Sequence, residues 1–391
     1  MIERIENTAG FEKLREEWAS LLEASASNSL FLTWEWLSTW WRHLSEGRGL
    51  FLLAARRDGE LVAMAPLALR PCRLTHLRPF RSLEFLGTGS VGSDYLDVVI
   101  RRGGEPEAQE ALAGYLAEGR IALELAQLRT GACAAAELAC LLRQRGWSAL
   151  QARTDVCPFI PLAGHTWQSY LATLGPAHRY NFQRRLKNLS KHFDVRFERV
   201  VSEAQRREAL ALLVRLHNMR WQGRGGSTAF HTAGLLSFHN ELSRLALDRN
   251  WLRLFVLRLN GEPAASLYGF RYGRTFYFYQ SGFDPRYSKY SVGLVTMGLA
   301  IRSAIEEGVD EYDLLHGDEA YKFDWGRDTR ELTRVRMYPP DVRGFMLRTA
   351  DGLSRAAGKM VRRMLPRRVG NGLAGGQGFG AWRRIQTAWP R

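Results

Sequence analysis

Residues 283–326 read FDPRYSKYSVGLVTMGLAIRSAIEEGVDEYDLLHGDEAYKFDWG. The small-residue stretch Ser291–Gly293 precedes an amphipathic run that ends at Gly308, and glycine is the usual residue just beyond a helix C-terminus. EYDLL has the apolar character of a short strand. The segment therefore predicts a helix followed by a strand, and it closes on a block in which aromatic residues surround a single lysine.

The sequence on either side of this segment indicates two units with the same plan. WLRLFVLRLNGEPAASLYGFRYGRTFYFYQSGF predicts three antiparallel strands that turn at Asn260-Gly261 and Tyr272-Gly273. Earlier in the chain, LFLLAARRDGELVAMAPLALR predicts a hairpin around Asp58-Gly59. We therefore expect a duplicated α/β unit, with a first domain at residues 1–162, a second at 163–342 and a basic helical and flexible tail at 343–391.

Length and composition favour an enzyme-sized protein of the cytoplasm. A chain of 391 residues is long enough for two domains. The start, MIERIENTAGFEKLREEW, carries charges where an export signal needs an apolar run. The four cysteines have neither the spacing of a zinc site nor that of a disulfide framework, so we expect no metal and a reducing compartment.

Most of the basic charge lies at the C-terminal end. The net charge is +15, yet residues 346–391 hold ten basic residues and one acid, and so supply nine of these charges. The rest of the chain, residues 1–345 and here called the body, is only mildly basic, and we expect no DNA partner. Phe345, Leu353 and Met360 fall near one face of a predicted basic amphipathic helix, a pattern typical of contact with anionic membranes. Docking on the body and RNA contact are the alternatives.

The chain resembles the GNAT acyltransferases, in particular the tandem-domain branch with the CelD-like polysaccharide-biosynthesis acetyltransferases and the FemAB peptidyltransferases. The resemblance rests on residues 283–326, with weaker support from FLTWEWLSTWW, GSDYLDVV and HRYNFQRRLKNLSK. It implies an α/β (α+β) fold of two tandem GNAT-like domains, each a mixed, mostly antiparallel sheet flanked by helices. It also implies acetyl-CoA or another acyl-CoA as the donor substrate.

The donor site implied by the resemblance differs from the usual pattern in one respect. GNAT enzymes carry an R/Q-x-x-G-x-G/A loop for the cofactor pyrophosphate, whereas residues 288–293 read SKYSVG, with one glycine. The helix N-terminus at Ser291, Val292 and Gly293 still offers unpaired amides to a phosphate, and Lys289 adds a charge. A helix start without a ligand is the alternative, and aminoacyl-tRNA is the alternative donor.

Strand FYFYQSGF lies next to this helix in sequence. Its backbone amides are candidates for contact with the oxyanion that develops during acyl transfer. Gln280 and Ser281 near the strand end are the candidate donor-binding side chains, whereas the aromatic residues are expected in the core.

Three residues after this helix are the candidate catalytic residues. Asp313 is an acid within an apolar strand, which requires a partner or a raised pKa unless it faces solvent at an edge. Tyr321 and Lys322 form the Tyr-Lys pair that the resemblance places at the donor pocket. Aromatic neighbours are expected to desolvate Lys322, so that Lys322→Ala keeps the fold and loses turnover; a surface lysine paired with Asp318 or Asp324 is the alternative.

The candidate acceptor side lies in the first unit and on an arginine-rich helix. Asp94 and Tyr95, in GSDYLDVV, are expected to face a cleft between the domains, unless Asp94 only closes a turn. Arg184, beside Arg185, is a candidate for binding an acidic glycan or phosphate, with a solvated helix face as the alternative. His316 is either a base or a structural histidine.

These features together predict a cytoplasmic acyltransferase, at the inner face of the membrane if the tail binds lipid. It would transfer an acyl group to an amine or hydroxyl of a sugar or glycan precursor in envelope or exopolysaccharide biosynthesis. Two alternatives remain: a FemAB-like transferase that uses aminoacyl-tRNA, and a non-catalytic module that binds glycan or RNA.

Overall fold

The computed structural model describes residues 1–70, 81–131, 133–222, 227 and 229–364, with the side chains of the last helix described as far as Leu353. The strands are β1 (Ile2–Ile5), β2 (Gly49–Arg57), β3 (Glu60–Arg70), β4 (Ser82–Phe85), β5 (Val99–Ile100), β6 (Ala122–Arg129), β7 (Ser148–Pro161), β8 (Val195–Arg199), β9 (Leu252–Leu259), β10 (Glu262–Tyr272), β11 (Thr275–Phe283), β12 (Glu311–Asp313) and β13 (Asp328–Tyr338).

Helices cover both faces of the sheet that these strands form. They are α1 (Thr8–Lys13), α2 (Arg15–Glu23), α3 (Trp34–Leu44), α4 (Glu105–Gly119), α5 (Ala134–Gln144), α6 (Trp167–Thr173), α7 (Pro176–His192), α8 (Glu203–Gln222), α9 (Ala233–Asp248), α10 (Val292–Glu306), α11 (Ala320–Trp325) and α12 (Val342–Met364). Short 3₁₀ helices span Leu30–Leu32 and Pro285–Tyr290.

The predicted repeat is present in the strand order. In the first unit, β2 and β3 form a hairpin, β4 pairs antiparallel with β3, and β6 pairs parallel with β4. In the second, β9, β10, β11 and β12 repeat the same order and the same directions. Two of the three predicted hairpin turns, Asp58-Gly59 and Asn260-Gly261, have positive φ at both central residues, the geometry that matches the twist of the strands they join. The third turn lies one residue later than predicted, at Gly273-Arg274, because Tyr272 still pairs with Thr275.

The two sheets are joined into one by an exchange of strands. The order across the described residues is β1-β2-β3-β4-β6-β13-β7-β12-β11-β10-β9-β8, with β5 beside β3. The last strand of the first unit, β7, pairs with β12 of the second, and β13 from the end of the second unit pairs with β6 of the first. Since β7 and β13 also pair with each other, neither unit completes its sheet alone.

A tryptophan of α3 packs between the two units. Trp36 is fully buried, and its ring lies 5.4 Å from that of Phe238 and 5.8 Å from that of Tyr279, both in the second unit. Its indole N–H donates to Ser93 Oγ at 2.8 Å. Trp36 therefore fixes the loop between β4 and β5 (residues 86–98) against the second unit, next to the predicted acceptor residues Asp94 and Tyr95.

The C-terminal helix α12 lies against the end of β13. Arg336 Nη1 donates to Asp351 Oδ2 at 2.9 Å, and Arg348 Nη1 donates to Ser148 Oγ at 3.0 Å. Among the described residues, no helix has both the length and the apolar character needed to cross a membrane.

Helix α8 packs closely on the end of β11, at a glycine that leaves no room for a side chain. A Cβ atom at Gly282 would lie 2.3 Å from the backbone nitrogen of His217. Because backbone atoms cannot rotate away, we expect Gly282→Ala to lower the free energy of unfolding by about 1–3 kcal/mol. Chemical denaturation monitored by circular dichroism would measure the change.

Gly114→Ala in α4 is the matched control, because a Cβ atom there meets nothing within 4 Å. Alanine in a helix is favoured over glycine by about 1 kcal/mol, so the control should unfold at the same or a slightly higher denaturant concentration. Equal stability of the two variants would contradict the close packing of α8 on β11.

Candidate active site

The two parallel strands at the centre of the second unit separate after three paired residues, and the gap in pairing between them is here called the opening. β12 pairs with β11 only from Thr275 to Tyr277. Beyond Asp313, the chain turns towards β7, where Leu314 N donates to Pro158 O at 2.9 Å. Within the described part of the chain, the end of β11 that contains Gln280 and Ser281 therefore has no partner strand on its β12 side.

A helix N-terminus lies beside this opening, as predicted. Ser291 has the left-handed conformation (φ 56°, ψ 43°) and precedes α10 without a side-chain cap. The side chain of Val292 is fully buried, so only its amide is available to a donor, together with that of Gly293. Lys289 is exposed, and its ammonium lies 4.9 Å from the centre of the Tyr290 ring.

Helix α7 contacts the turn before α10, through a neighbour of the predicted residue. Arg185 Nη1 donates to Lys289 O at 2.8 Å. Arg184 is exposed, with a hydrogen bond from Nη2 to Asn181 at 3.4 Å and its guanidinium over the Tyr180 ring. Of these two arginines, Arg185 is therefore the one with a hydrogen bond to the turn before α10.

Two residues of α8 that the sequence analysis did not select bind the end of β11. His217 Nδ1 lies 3.0 Å from Ser281 O, and its Nε2 lies 2.7 Å from Ser227 Oγ. A carbonyl only accepts, so Nδ1 carries the proton; burial lowers the pKa of His217 to about 4. Arg220 Nη1 donates to Ser281 Oγ at 3.1 Å. The spacing of residues along α8 does not indicate that His217 and Arg220 contact β11.

Asp94 and Tyr95 reach across to the second unit, and the buried Asp94 does not stand open to an acceptor. Asp94 is fully buried; its carboxylate accepts from the backbone N–H of His316 at 2.9 Å and from Nδ1 of the same residue at 2.8 Å. Gln127 Nε2 donates to it at 3.1 Å. The hydroxyl of Tyr95 donates to Asp313 Oδ2 at 2.7 Å. The structure thus brings together residues that are more than 200 positions apart.

Asp313 is buried, in agreement with the first of the two interpretations of its sequence context. It accepts from Tyr95, from the backbone N–H of Leu315 at 2.8 Å, and from Arg330 Nη1 at 3.3 Å. Arg330 also binds Glu311 and lies over the ring of Phe159. Burial, the largest cause, raises the pKa of Asp313 to about 7, although Tyr95 and Arg330 favour its charged form.

Lys322 lies under the turn that follows β12. Its ammonium donates to the carbonyl oxygens of Leu315 at 3.1 Å and His316 at 2.7 Å, and it pairs with Glu319 at 3.1 Å. Its partner is thus Glu319, and not Asp318 or Asp324. Leu315 has positive φ (56°), a conformation that disfavours a side chain and persists only where its surroundings hold it. Lys322 supplies that support.

The aromatic residues around Lys322 divide into two groups. Trp325 is buried against Phe182 and His178, whereas Phe323 is partly exposed. Tyr321 is half-buried, and burial raises its pKa. Tyr321 thus remains the member of the predicted pair nearer to solvent.

Residues 176–323 match the family model described as acetyltransferase (GNAT) domain. The match agrees with the predicted GNAT-like fold and supports the prediction that the chain is an N- (or O-) acyltransferase. The match includes α7, α8, β11, α10 and the Tyr-Lys pair. No curated protein sequence is similar enough to this chain to match it.

Solved structures with the same fold extend over both units. The structure of FemX has a TM-score of 0.59 at 12% identity, covering 84% of this chain and 96% of FemX. The C-terminal domain of a putative lysylphosphatidylglycerol synthetase from Agrobacterium fabrum has a TM-score of 0.51 at 11% identity, over 89% of this chain and 98% of its own. L-PGS from Bacillus licheniformis has 0.50 at 11%, over 88% and 96%. These similarities establish the fold.

We expect Lys322→Met to lower the free energy of unfolding by about 2–4 kcal/mol, because the carbonyl oxygens of Leu315 and His316 lose their donor and Glu319 loses its partner. This loss of stability differs from the expectation of the sequence analysis, in which substitution of Lys322 keeps the fold and lowers only turnover. Chemical denaturation would measure the change. Lys289→Met, the same substitution at an exposed lysine, is the control.

Adding Glu319→Gln to Lys322→Met should restore part of the stability, because it removes the unpaired carboxylate. Wild-type stability of Lys322→Met would show that Lys322 does not hold the turn after β12.

Proposed function

We propose that this protein transfers an acyl group from acyl-CoA to an amine, in the opening between β11 and β12. The observation that carries the proposal is the divergence of these two strands next to the N-terminus of α10. The strand edge of β11 can hold the extended part of the donor by backbone hydrogen bonds. The amides at Val292 and Gly293 can hold its pyrophosphate, with the positive end of the helix dipole behind them.

The reaction needs few groups from the protein. The amine nitrogen attacks the thioester carbonyl carbon, a C–N bond forms, the C–S bond breaks, and the amine proton ends on the CoA sulfur. Backbone amides at the free edge of β11 would stabilise the oxyanion of the intermediate. The described site offers histidine and carboxylate side chains for the proton transfer.

The proposed acceptor is a sugar or glycan precursor of envelope or exopolysaccharide synthesis, handled in the cytoplasm. Support comes from the resemblance of residues 283–326 and the N-terminal segments to the CelD-like branch. Transfer to an amine is proposed over transfer to a hydroxyl because the matched family model is that of an acetyltransferase (GNAT) domain. Incubation with acetyl-CoA and a panel of amino sugars and neutral sugars, followed by mass spectrometry, tests this part; acylation of neutral sugars alone would contradict it.

Aminoacyl-tRNA is the second candidate donor. Its support is the fold shared with FemX, with the C-terminal domain of a putative lysylphosphatidylglycerol synthetase and with L-PGS. The exposed basic side chains of α7, beside the α10 N-terminus, would suit a nucleic acid equally well. A non-catalytic module that binds glycan or RNA would bind either ligand without transfer.

Acetyl-CoA, longer acyl-CoAs or free CoA should raise the thermal midpoint of the wild-type protein by a few degrees, because a ligand that binds only the folded state stabilises it by about 2.7 kcal/mol at 100 times its Kd. Gly293→Glu should abolish the shift. The added carboxylate repels the pyrophosphate, yet a negative charge in the first turn favours the helix itself.

Gly293→Gln is the matched control, equal in size and neutral, and it should retain most of the shift. If no CoA compound shifts the wild-type midpoint, the acyl-CoA proposal is wrong, and a charged tRNA would be the next ligand to test. A shift of equal size in Gly293→Glu would move the donor away from α10.

A further inference from the structure

The pairing of Asp94 with His316 joins the two units at the turn that follows β12. His316 follows by three residues Asp313, at which the chain leaves β11. A Cβ atom at Gly92 would lie 3.2 Å from Cε1 of the His316 ring, so the loop 86–98 of the first unit lies directly against this ring. The side chain of His316 retains 19% exposure, whereas that of Asp94 has none.

The contacts of His316 determine which ring nitrogen carries the proton. Nδ1 lies 2.8 Å from Asp94 Oδ1 and 3.0 Å from Oδ2. A carboxylate accepts and cannot donate, so Nδ1 is the N–H of the neutral ring and Nε2 carries the lone pair. The backbone N–H of His316 also donates to Asp94, and these contacts together fix the ring orientation.

Charged groups surround this ring on several elements. Asp94 comes from loop 86–98, Asp155 from β7, and Lys322 and Glu319 from α11 and the residue before it. Burial and the Lys322 ammonium lower the pKa of His316, but Asp94 and Asp155 outweigh them, so its pKa lies above the ordinary value of 6.5. Glu319 pairs with Lys322 and reduces the effect of that positive charge.

We infer that His316 is the general base of the acyl transfer and that Asp94, supplied by the first unit, is its positioning residue. Nε2 of His316 takes the proton from the attacking amine as the C–N bond forms, and this proton then goes to the sulfur that leaves when the C–S bond breaks. Asp94 stabilises the imidazolium formed in between, as a buried carboxylate does beside a catalytic histidine. This inference rests on the proposed function.

His316→Gln should lower kcat by about 10²–10⁴-fold, the usual contribution of a general base, with acetyl-CoA as donor and glucosamine as acceptor probe. In the wild type, kcat should rise with pH through an inflection above 6.5, because only the neutral ring accepts a proton. Asp94→Asn should lower kcat and move this inflection to lower pH. His165→Gln, whose ring contacts Ser169 at the start of α6, is the control and should leave both unchanged.

The acetyl-CoA-induced thermal shift must persist in His316→Gln and Asp94→Asn, because neither residue is assigned to the donor. Wild-type kcat and pH profile in His316→Gln would overturn the inference. If acetyl-CoA fails to shift even the wild type, the proposed function fails. The dyad is then judged separately by ¹⁵N NMR of the His316 ring: protonation of the neutral ring at Nδ1 supports it, and protonation at Nε2 overturns it.

A second, independent observation concerns α12, whose two faces differ. Gly344, Arg348 and Asp351 face the body: a Cβ atom at Gly344 would lie 2.0 Å from Pro339 O, and the other two bind Ser148 and Arg336. The opposite side, here called the outer face, consists of Val342, Phe345, Met346 and Leu353, which are 74%, 70%, 54% and 67% exposed.

The charge of α12 indicates what covers its outer face. Between residues 342 and 364, the sequence has six basic residues and one acid, a net charge of +5, and the acid, Asp351, points at the body. Apolar side chains on one side of a helix whose sequence carries a net positive charge match an anionic bilayer surface. The geometry points to α12 as a helix that lies on anionic lipid and holds the enzyme at the membrane.

Flotation of the full chain with vesicles tests this second inference. The wild type should float with vesicles of phosphatidylglycerol and phosphatidylcholine and remain unbound with pure phosphatidylcholine. Phe345→Ser/Leu353→Ser should lose most of the bound fraction, while Leu236→Ser, at an exposed leucine of α9 (41%), should not. Equal flotation of the wild type and the double variant would overturn the proposal, as would binding of RNA, and not of vesicles, through the same face.

Discussion

The site depends on the exchange of β7 and β13 between the two units. Strand β12 is three residues long. It pairs with β11 on one side and with β7, from the first unit, on the other. The pairing of β13 with β6 fixes the opposite half of the sheet. Because these strands lock the units in one register, loop 86–98 of the first unit meets the turn after β12, and Asp94 reaches His316.

The junction is unusually polar for a region so well buried. Asp313 with Arg330 and Glu311 occupies one side of it, and Lys322 with Glu319 the other. Removing charges from water costs about as much free energy as such pairs return, so they add little net stability. They do penalise any other arrangement, because a shifted register would leave each charge buried without its partner. We propose that this penalty, with Trp36 between the units, selects the geometry of the site.

The local features of the fold could be predicted from the sequence. Asp58-Gly59 and Asn260-Gly261 specify their hairpins because their residues tolerate positive φ, and Ser291–Gly293 marks the start of α10. The continuous sheet could not be predicted, because the sequences of β7 (SALQARTDVCPFIP) and β12 (EYD) do not specify a partner strand in the other unit. Asp94 illustrates the same limit: its glycine-flanked context indicated an exposed turn or cleft, whereas its partner His316 lies 222 positions away.

The two units contribute different groups to the proposed site. Three features are assigned to the donor: the edge of β11, the start of α10 and Arg185 beside it. All three belong to residues 176–323, the part that matches the acetyltransferase domain. The proton-transfer pair needs Asp94, which lies outside that range. The first unit would therefore contribute to turnover and not to donor affinity. Changes in Trp36 or Ser93, which hold loop 86–98, should act on kcat through Asp94 while acyl-CoA still binds.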